Sequence, residues 1–218
     1  EGLGALRVTD NGNLQALDLS GLTSLFPCWE APVAGCDAGG LTTAGWLTLS
    51  GNAKLKTALF PLLGSVHHTV QIDQNSGLTT VMLGSVKSAF ALWIEDNGAL
   101  ESVDLTSLKY LPSPTSNVSD PTQISFSVTD NASLMTLTLG SLVDMKGAIR
   151  VTGSPKLAHL DVSTLEVCAG IEIVDLGIKS LDLTYLTEFG QYGAKPVKPM
   201  GRFILSKNKD LTAFKLNP

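Results

Sequence analysis

A chain that repeats one apolar spacing from end to end must bury the same slots again and again, and few folds allow that. Here the spacing is L-x-V-x-x-N-x-x-L-x-x-L-x-L-x-x-L-x-x-L, clearest at Leu6, Val8, Asn11, Leu14, Leu17, Leu19, Leu22 and Leu25. It returns in residues 47–66, 70–89, 92–111, 126–145 and 149–168. A seventh copy, 171–189, fits once one residue is deleted near Leu176, and an eighth, 203–216, is shorter. Every apolar slot holds an apolar residue or cysteine. The pattern predicts a single-domain solenoid over 1–218, with about eight rungs of 22–23 residues.

Within a rung, the slots of Leu6/Val8 and Leu17/Leu19 are two apart, which is strand alternation and not helical spacing. Each rung should therefore carry two short strands with a turn between them, giving an all-β chain. The turn holds the polar slot, filled by Asn11, Asn52, Asn75, Asn97, Asn131 and Asn208 in six of the eight copies. An amide both donates and accepts, so stacked copies can bond one another and the turn backbone. A structural role is expected, because function rarely needs six copies of one group.

The same spacing is similar to that of the receptor L-domain family. That family includes the ligand-binding L-domains of insulin- and epidermal-growth-factor-type receptors and lipid-anchored cell-wall proteins of fungi. It also resembles the leucine-rich repeat, which places Asn after its strand as Leu6-x-Val8-x-x-Asn11 does here. The two-strand rung and the missing helical segment favour the L-domain. The resemblance covers nearly all of the chain and implies a receptor L-domain-like β-helix at a cell surface. The chain departs from the receptors in lacking their dense cysteine framework, so the likeness is one of scaffold.

With 44% hydrophobic residues there is ample material for a core. A net charge of -5 and a pI near 5.1 give no electrostatic footprint for nucleic acid, and no apolar run is long enough to span a bilayer. The start has neither an initiator Met nor a signal-like segment, as in a mature form or an excised piece. Cys28 and Cys36 lie eight residues apart in a Pro/Gly-rich stretch and suit a disulfide closing a small loop. Metal binding is the alternative for that pair, but no His or third Cys stands at ligand spacing. Cys168 fills an apolar slot and is expected to be free and buried. The disulfide and the family resemblance both point to an exported protein. Sequons occur at Asn117 and Asn131; Asn131 is one of the turn residues, so Asn117 is the better glycan acceptor in a eukaryotic host.

The repeat is modulated. Successive first slots at 6, 47, 70, 92, 126, 149, 171 and 203 lie 41, 23, 22, 34, 23, 22 and 32 residues apart. The long intervals recur every third rung, and each insertion (26–45, 112–124 and 190–201) follows the same slot. All three should leave one corner, on the order of 14 Å apart for rungs about 4.8 Å apart. They hold seven of the ten prolines, which stiffen loops and lower their ordering cost on binding. They also offer Trp29, Glu30, Asp37, Tyr192, Lys195 and Lys198 as contact residues. The alternative is that the loops merely shield the side of the solenoid. A second surface lies on outward strand positions: Trp46 and Trp93 beside the first strands, and Leu59 and Met82 where other copies carry Asp18, Asp104, Asp161 and Asp182.

Enzyme signatures such as G-x-S-x-G, H-E-x-x-H and C-x-x-C are absent. Asp10, Asp73, Asp96 and Asp130 stack near the Asn turn, and carbohydrate-active β-helices use paired acids. Turn chemistry explains Asp before Asn equally well. The leading expectation is a non-catalytic, extracellular or cell-surface binding or adhesion module without a cofactor. Its partner would be a protein or glycan, with no nucleic acid and no direct membrane insertion. The alternatives are an architectural segment of a larger surface protein and, less favoured, a carbohydrate-active enzyme. Uncapped rungs at either end would invite self-association or flanking domains.

Overall fold

The computed structural model describes residues 2–25, 45–112, 124–190 and 202–216. In chain order the first strands are β1 (Gly2–Leu3), β2 (Leu6–Thr9), β3 (Ala16–Asp18) and β4 (Ser24–Leu25). They are followed by β5 (Leu47–Ser50), β6 (Thr57–Leu59), β7 (Ser65–Val66), β8 (Thr69–Asp73) and β9 (Thr80–Met82). Next come β10 (Ala91–Glu95), β11 (Ser102–Asp104), β12 (Tyr110–Leu111), β13 (Ile124–Thr129), β14 (Thr136–Thr138) and β15 (Asp144–Ser154). The last are β16 (Val167–Leu176), β17 (Ser180–Leu183), β18 (Glu188–Phe189), β19 (Phe203–Ser206) and β20 (Ala213–Leu216). No helix occurs among the described residues, and every strand pairing is parallel.

The strands stack in the order the repeat requires. The first apolar run of each copy joins one ladder, β2-β5-β8-β10-β13-β15-β16-β19. Its register aligns Leu6, Leu47, Val70, Leu92, Phe126, Ile149, Ile171 and Phe203, the first slot of all eight copies. The second run forms β3-β6-β9-β11-β14, continued by a Leu137–Leu160 bridge, and a separate β17-β20 pair. These all-β, parallel, stacked sheets are consistent with a β-helix.

A third ladder departs from the two-strand expectation. It begins as β1-β4-β7 and passes through bridges at Ser88 to β12, whose partner is β15. Its strands are two residues long, too short to show an alternation in sequence. In β15 and β16 the third and first ladders merge into single strands of 11 and 10 residues, with a bulge between Met145 and Ala148. The undescribed segments 26–44, 113–123 and 191–201 each link a strand of the short ladder to one of the long ladder: β4 to β5, β12 to β13 and β18 to β19.

The apolar slots form one cluster running through the stack, with Leu47, Leu49, Ile72, Leu92, Ile94, Phe126 and Val128 fully buried. Burial fades at the two ends: Leu6, Val8, Leu14, Leu17 and Leu19 are half-buried, and Phe203, Phe214 and Leu216 are exposed. Removing a mid-stack Leu would cost about 2–5 kcal/mol, since the surrounding rungs cannot collapse around the cavity.

The Asn slot explains how the corner is held. Asn52, Asn75, Asn97 and Asn131 are fully buried. The backbone N–H groups of Asn11, Asn52, Asn75 and Asn97 donate to the Oδ1 of the next copy's Asn at 3.0–3.1 Å. The Nδ2 groups of Asn52, Asn75, Asn97 and Asn131 each donate to a carbonyl of the preceding copy, of Val8, Leu49, Ile72 and Ile94. The backbone carbonyl of each of these four Asn also accepts an i to i+3 turn bond, from the N–H of Leu55, Leu78, Leu100 or Leu134. Immediately before this slot every copy turns left-handed: Asp10, Gln74, Asp96, Asp130, Asp175 and Lys207 have φ of 54–58°, and Gly51 and Gly153 have 67° and 62°. Asp tolerates this region better than most residues, which accounts for Asp-Asn in the repeat. In the seventh copy Leu176 takes the slot, buried, and donates its N–H to Asn208 Oδ1 at 2.9 Å. The missing residue falls in the following turn, where Gly177 alone separates Leu176 from Ile178.

Candidate binding surface

Strand alternation sends every second residue of the first ladder outward. One outward row, fixed by register, runs Arg7, Thr48, Gln71, Trp93, Ser127, Arg150, Glu172 and Ile204; the next runs Thr9, Ser50, Asp73, Glu95, Thr129, Thr152, Val174 and Ser206. Trp93, Glu95, Ile124 and Ser127 line an open cleft of about 340 Å³ on this face. The Trp93 indole N–H donates to the Ile124 carbonyl at 3.1 Å. That carbonyl sits beside a register shift between Ile124 and Phe126, and a bulge of this kind re-aims backbone groups. The indole is thereby pinned in one orientation, with the ring half-buried.

The polar groups around it are arranged as acceptors. Ser127 Oγ donates to Glu95 Oε1 at 2.5 Å, and Ser50 Oγ donates to Asp73 Oδ2 at 3.1 Å. Asp73 and Glu95 are register partners on neighbouring strands, so two like charges stand side by side and each carboxylate takes a serine hydroxyl. The second oxygen of Asp73 is buried without a hydrogen-bond partner, as is the hydroxyl of Ser125 at the bulge. Farther along, Arg150 Nε meets Glu172 Oε2 at 3.0 Å. The face thus offers an oriented aromatic ring, acceptor oxygens and an open floor.

Trp46 lies elsewhere. It precedes β5 and stacks on His68 with ring centroids 4.1 Å apart, and His68 meets the edge of Phe90 at 5.8 Å. This aromatic column braces the corner between the third and first ladders. Burial lowers the pKa of His68 below that of an ordinary imidazole, and its Nδ1 contacts Thr69 Oγ1 at 3.1 Å. Leu59 and Met82 are register neighbours on the second ladder, Leu59 half-buried and Met82 exposed, with Asp104 beside Met82. Asp18, Asp104, Asp161 and Asp182 in the same row accept the backbone N–H two residues on, from Ser20, Thr106, Ser163 and Thr184. The copies with Leu59 and Met82 have Pro61 and Gly84 at that distance instead. The acids of this row are therefore turn makers.

Asp10, Asp96 and Asp130 occupy left-handed corner positions, and only Asp73 of the four stacked acids stands on the sheet face. No group of three or more His, Cys, Asp or Glu able to hold a metal occurs among the described residues. Cys168 is free and buried; burial pushes its thiol up to about 12, and it donates to the Gly170 carbonyl at 2.9 Å. Trp29, Glu30, Asp37, Tyr192, Lys195 and Lys198, the Cys28 and Cys36 pair and Asn117 lie outside the described residues. Glu95, Ser127 and Ile124 are the cleft residues that sequence reasoning missed. Register alone would have brought Ser127 and Glu95 near Trp93 once the Phe126 and Leu92 slots were aligned. Comparison with protein-family models, curated proteins and solved structures returns no match.

Proposed function

We propose that this chain is a receptor L-domain-like β-solenoid of eight rungs that acts as a non-catalytic binding or adhesion module at a cell surface. Its partner, a protein or a glycan, docks on the outer face of the first ladder around Trp93. The observation that carries this reading is the cleft: a Trp held in one orientation, with the Glu95 carboxylate beside it in the same open lining. Oriented aromatics with adjacent acceptors suit recognition, because little side-chain freedom is left to lose on binding. The insertions provide a second contact region on the same reading.

The test is a panel of immobilised glycans and extracellular proteins probed with the purified chain and with Trp93→Ala. Binding should weaken by about tenfold or more, while the melting temperature stays within about 4 °C. Binding unchanged by the substitution would remove this face from the function. A second reading has one observation in its favour. Asp73 and Glu95 are register partners on neighbouring strands, and glycosidases work with a pair of neighbouring carboxyl groups. Products released from polysaccharides by the wild type, and abolished by Asp73→Asn, would establish it over simple binding.

A further inference from the structure

The face that carries Trp93 is unbalanced in charge at one place. Its two outward rows hold the charged residues Arg7, Asp73, Glu95, Arg150 and Glu172. Arg150 is engaged by Glu172 at 3.0 Å, and Arg7 lies on β2, separated by β5 from the strand of Asp73. Asp73 and Glu95 stand side by side as register partners, and among the described residues neither has an ion pair. Like charges opposed on neighbouring strands work against the fold, so this pair costs stability as long as no cation joins it. We propose that the cleft takes a lysine or arginine side chain of a partner protein, its charged head over the Trp93 ring and against the Glu95 carboxylate. The inference rests on the binding reading above and names the partner of that same cleft.

Differences in side-chain size make the seat. Along the outward row Ser127 stands between Trp93 and Arg150, and a small residue between two long ones leaves a hollow. The indole N–H is tied to the Ile124 carbonyl, which holds the ring as one wall. By register Ser127 pairs with Trp93 and Glu95 with Thr129, yet the Ser127 hydroxyl donates to Glu95 Oε1. That bond draws the carboxylate back along the strand, over the floor and toward the indole. An aromatic ring and an ionised carboxylate therefore line one opening.

A cation within about 6 Å of a Trp ring centre is attracted by the negative face of the ring. The carboxylate adds a charge-assisted hydrogen bond, and it has lone pairs beyond the one that Ser127 occupies. Asp73 acts at longer range. Its Oδ2 takes the Ser50 hydroxyl and its Oδ1 is buried, so it contributes charge to the face and no contact to the ligand.

A neutral sugar matches this site less well. It can stack on the indole and donate hydroxyls to Glu95, but covering an ionised carboxylate without a counter-charge is costly. A basic side chain removes that cost and relieves the repulsion between Asp73 and Glu95. Its aliphatic stem also covers apolar surface such as Ile124 while the head stays in the polar part of the cleft.

The experiment follows the Trp93 indole N–H by NMR in the chain isotopically labelled at its tryptophans, the signal being assigned by its absence from Trp93→Ala. The probes are short peptides carrying two arginines, two lysines or two citrullines, and a neutral oligosaccharide of N-acetylglucosamine. The arginine and lysine peptides should shift the signal to saturation, and the citrulline peptide, neutral but of the same shape as the arginine one, should bind about tenfold or more weakly. Rising salt should weaken the cationic peptides. Glu95→Gln keeps an acceptor for Ser127 and should weaken them by about fivefold or more, with a smaller loss in Asp73→Asn. A Glu95 with only a structural role would lower the melting temperature on substitution; here Glu95→Gln should hold or raise it, because the like-charge pair is gone.

Equal binding of the citrulline and arginine peptides overturns the proposal, as does a Glu95→Gln variant that binds like the wild type. So does a signal that moves with the oligosaccharide and not with the cations, or with no probe at all. Movement with the oligosaccharide alone leaves the binding reading standing, whereas that reading fails separately when a partner from the panel is indifferent to Trp93→Ala. Should Glu95→Gln fail to fold by circular dichroism, the citrulline comparison and the salt series on the wild type decide.

Discussion

Asn75 uses its whole side chain. Its Oδ1 accepts from Asn52 N at 3.0 Å and Asn52 Nδ2 at 3.2 Å, and its own Nδ2 donates to the carbonyls of Leu49 and Asp73. Replacing it by Ala strands several buried partners at once, each worth about 1–3 kcal/mol. Asn75→Ala should therefore lower unfolding free energy by about 3 kcal/mol or more in urea titration. Asn208→Ala, in a half-buried end slot, should cost about 1 kcal/mol. The same burial bears on modification. Asn131 is fully buried and bonded to the Ile94 and Thr129 carbonyls, so its sequon is unusable in the folded chain. His68 adds a pH dependence. Its folded pKa lies below the ordinary imidazole value of 6.5, so the unfolded chain binds a proton first as acid is added. Its contribution is complete above 6.5 and is lost as pH falls below that value. The melting temperature should drop over that window, and less so in His68→Phe, which keeps an aromatic ring against Trp46.

At the scale of the element, the corner is where sequence and backbone conformation meet. Gly153 has φ of 62°, and a Cβ there would run into the Asp130 carboxylate of the preceding copy. Gly153→Ala should cost about 1–3 kcal/mol. Adding Asp130→Gly should return part of that loss in a double-mutant cycle, since the collision is removed and the left-handed strain remains. The strand slots and the Asn turn were legible because each is stated eight or six times in the chain. The left-handed position was only half legible, since Asp, Gly, Gln and Lys all fill it. The third ladder was not, because two-residue strands such as Ser24–Leu25 carry no period. The cleft was legible in Trp93 alone. Ile124 joins it through a bulge, which no spacing announces, and Trp46 is drawn to His68 by the path of the corner and not by shared register.

At the scale of the molecule, stability should be distributed as in other repeat arrays, with each copy held by its two neighbours. Amide exchange should be slowest in β8, β10 and β13 and fastest in β19 and β20, where core residues are exposed. The amide column is not uniform along this axis. It runs from Asn11 to Asn131, gives way to Ser154 and Leu176, and resumes only at Asn208. Ser154→Asn should extend it by one step and raise stability by about 1 kcal/mol, read from the urea midpoint. The wild-type arrangement works like a zip with two teeth missing. Pulled or heated from the carboxyl-terminal side, the chain should part at Ser154 and Leu176, leaving the turns up to Asn131 fastened as a block that can re-engage the rest.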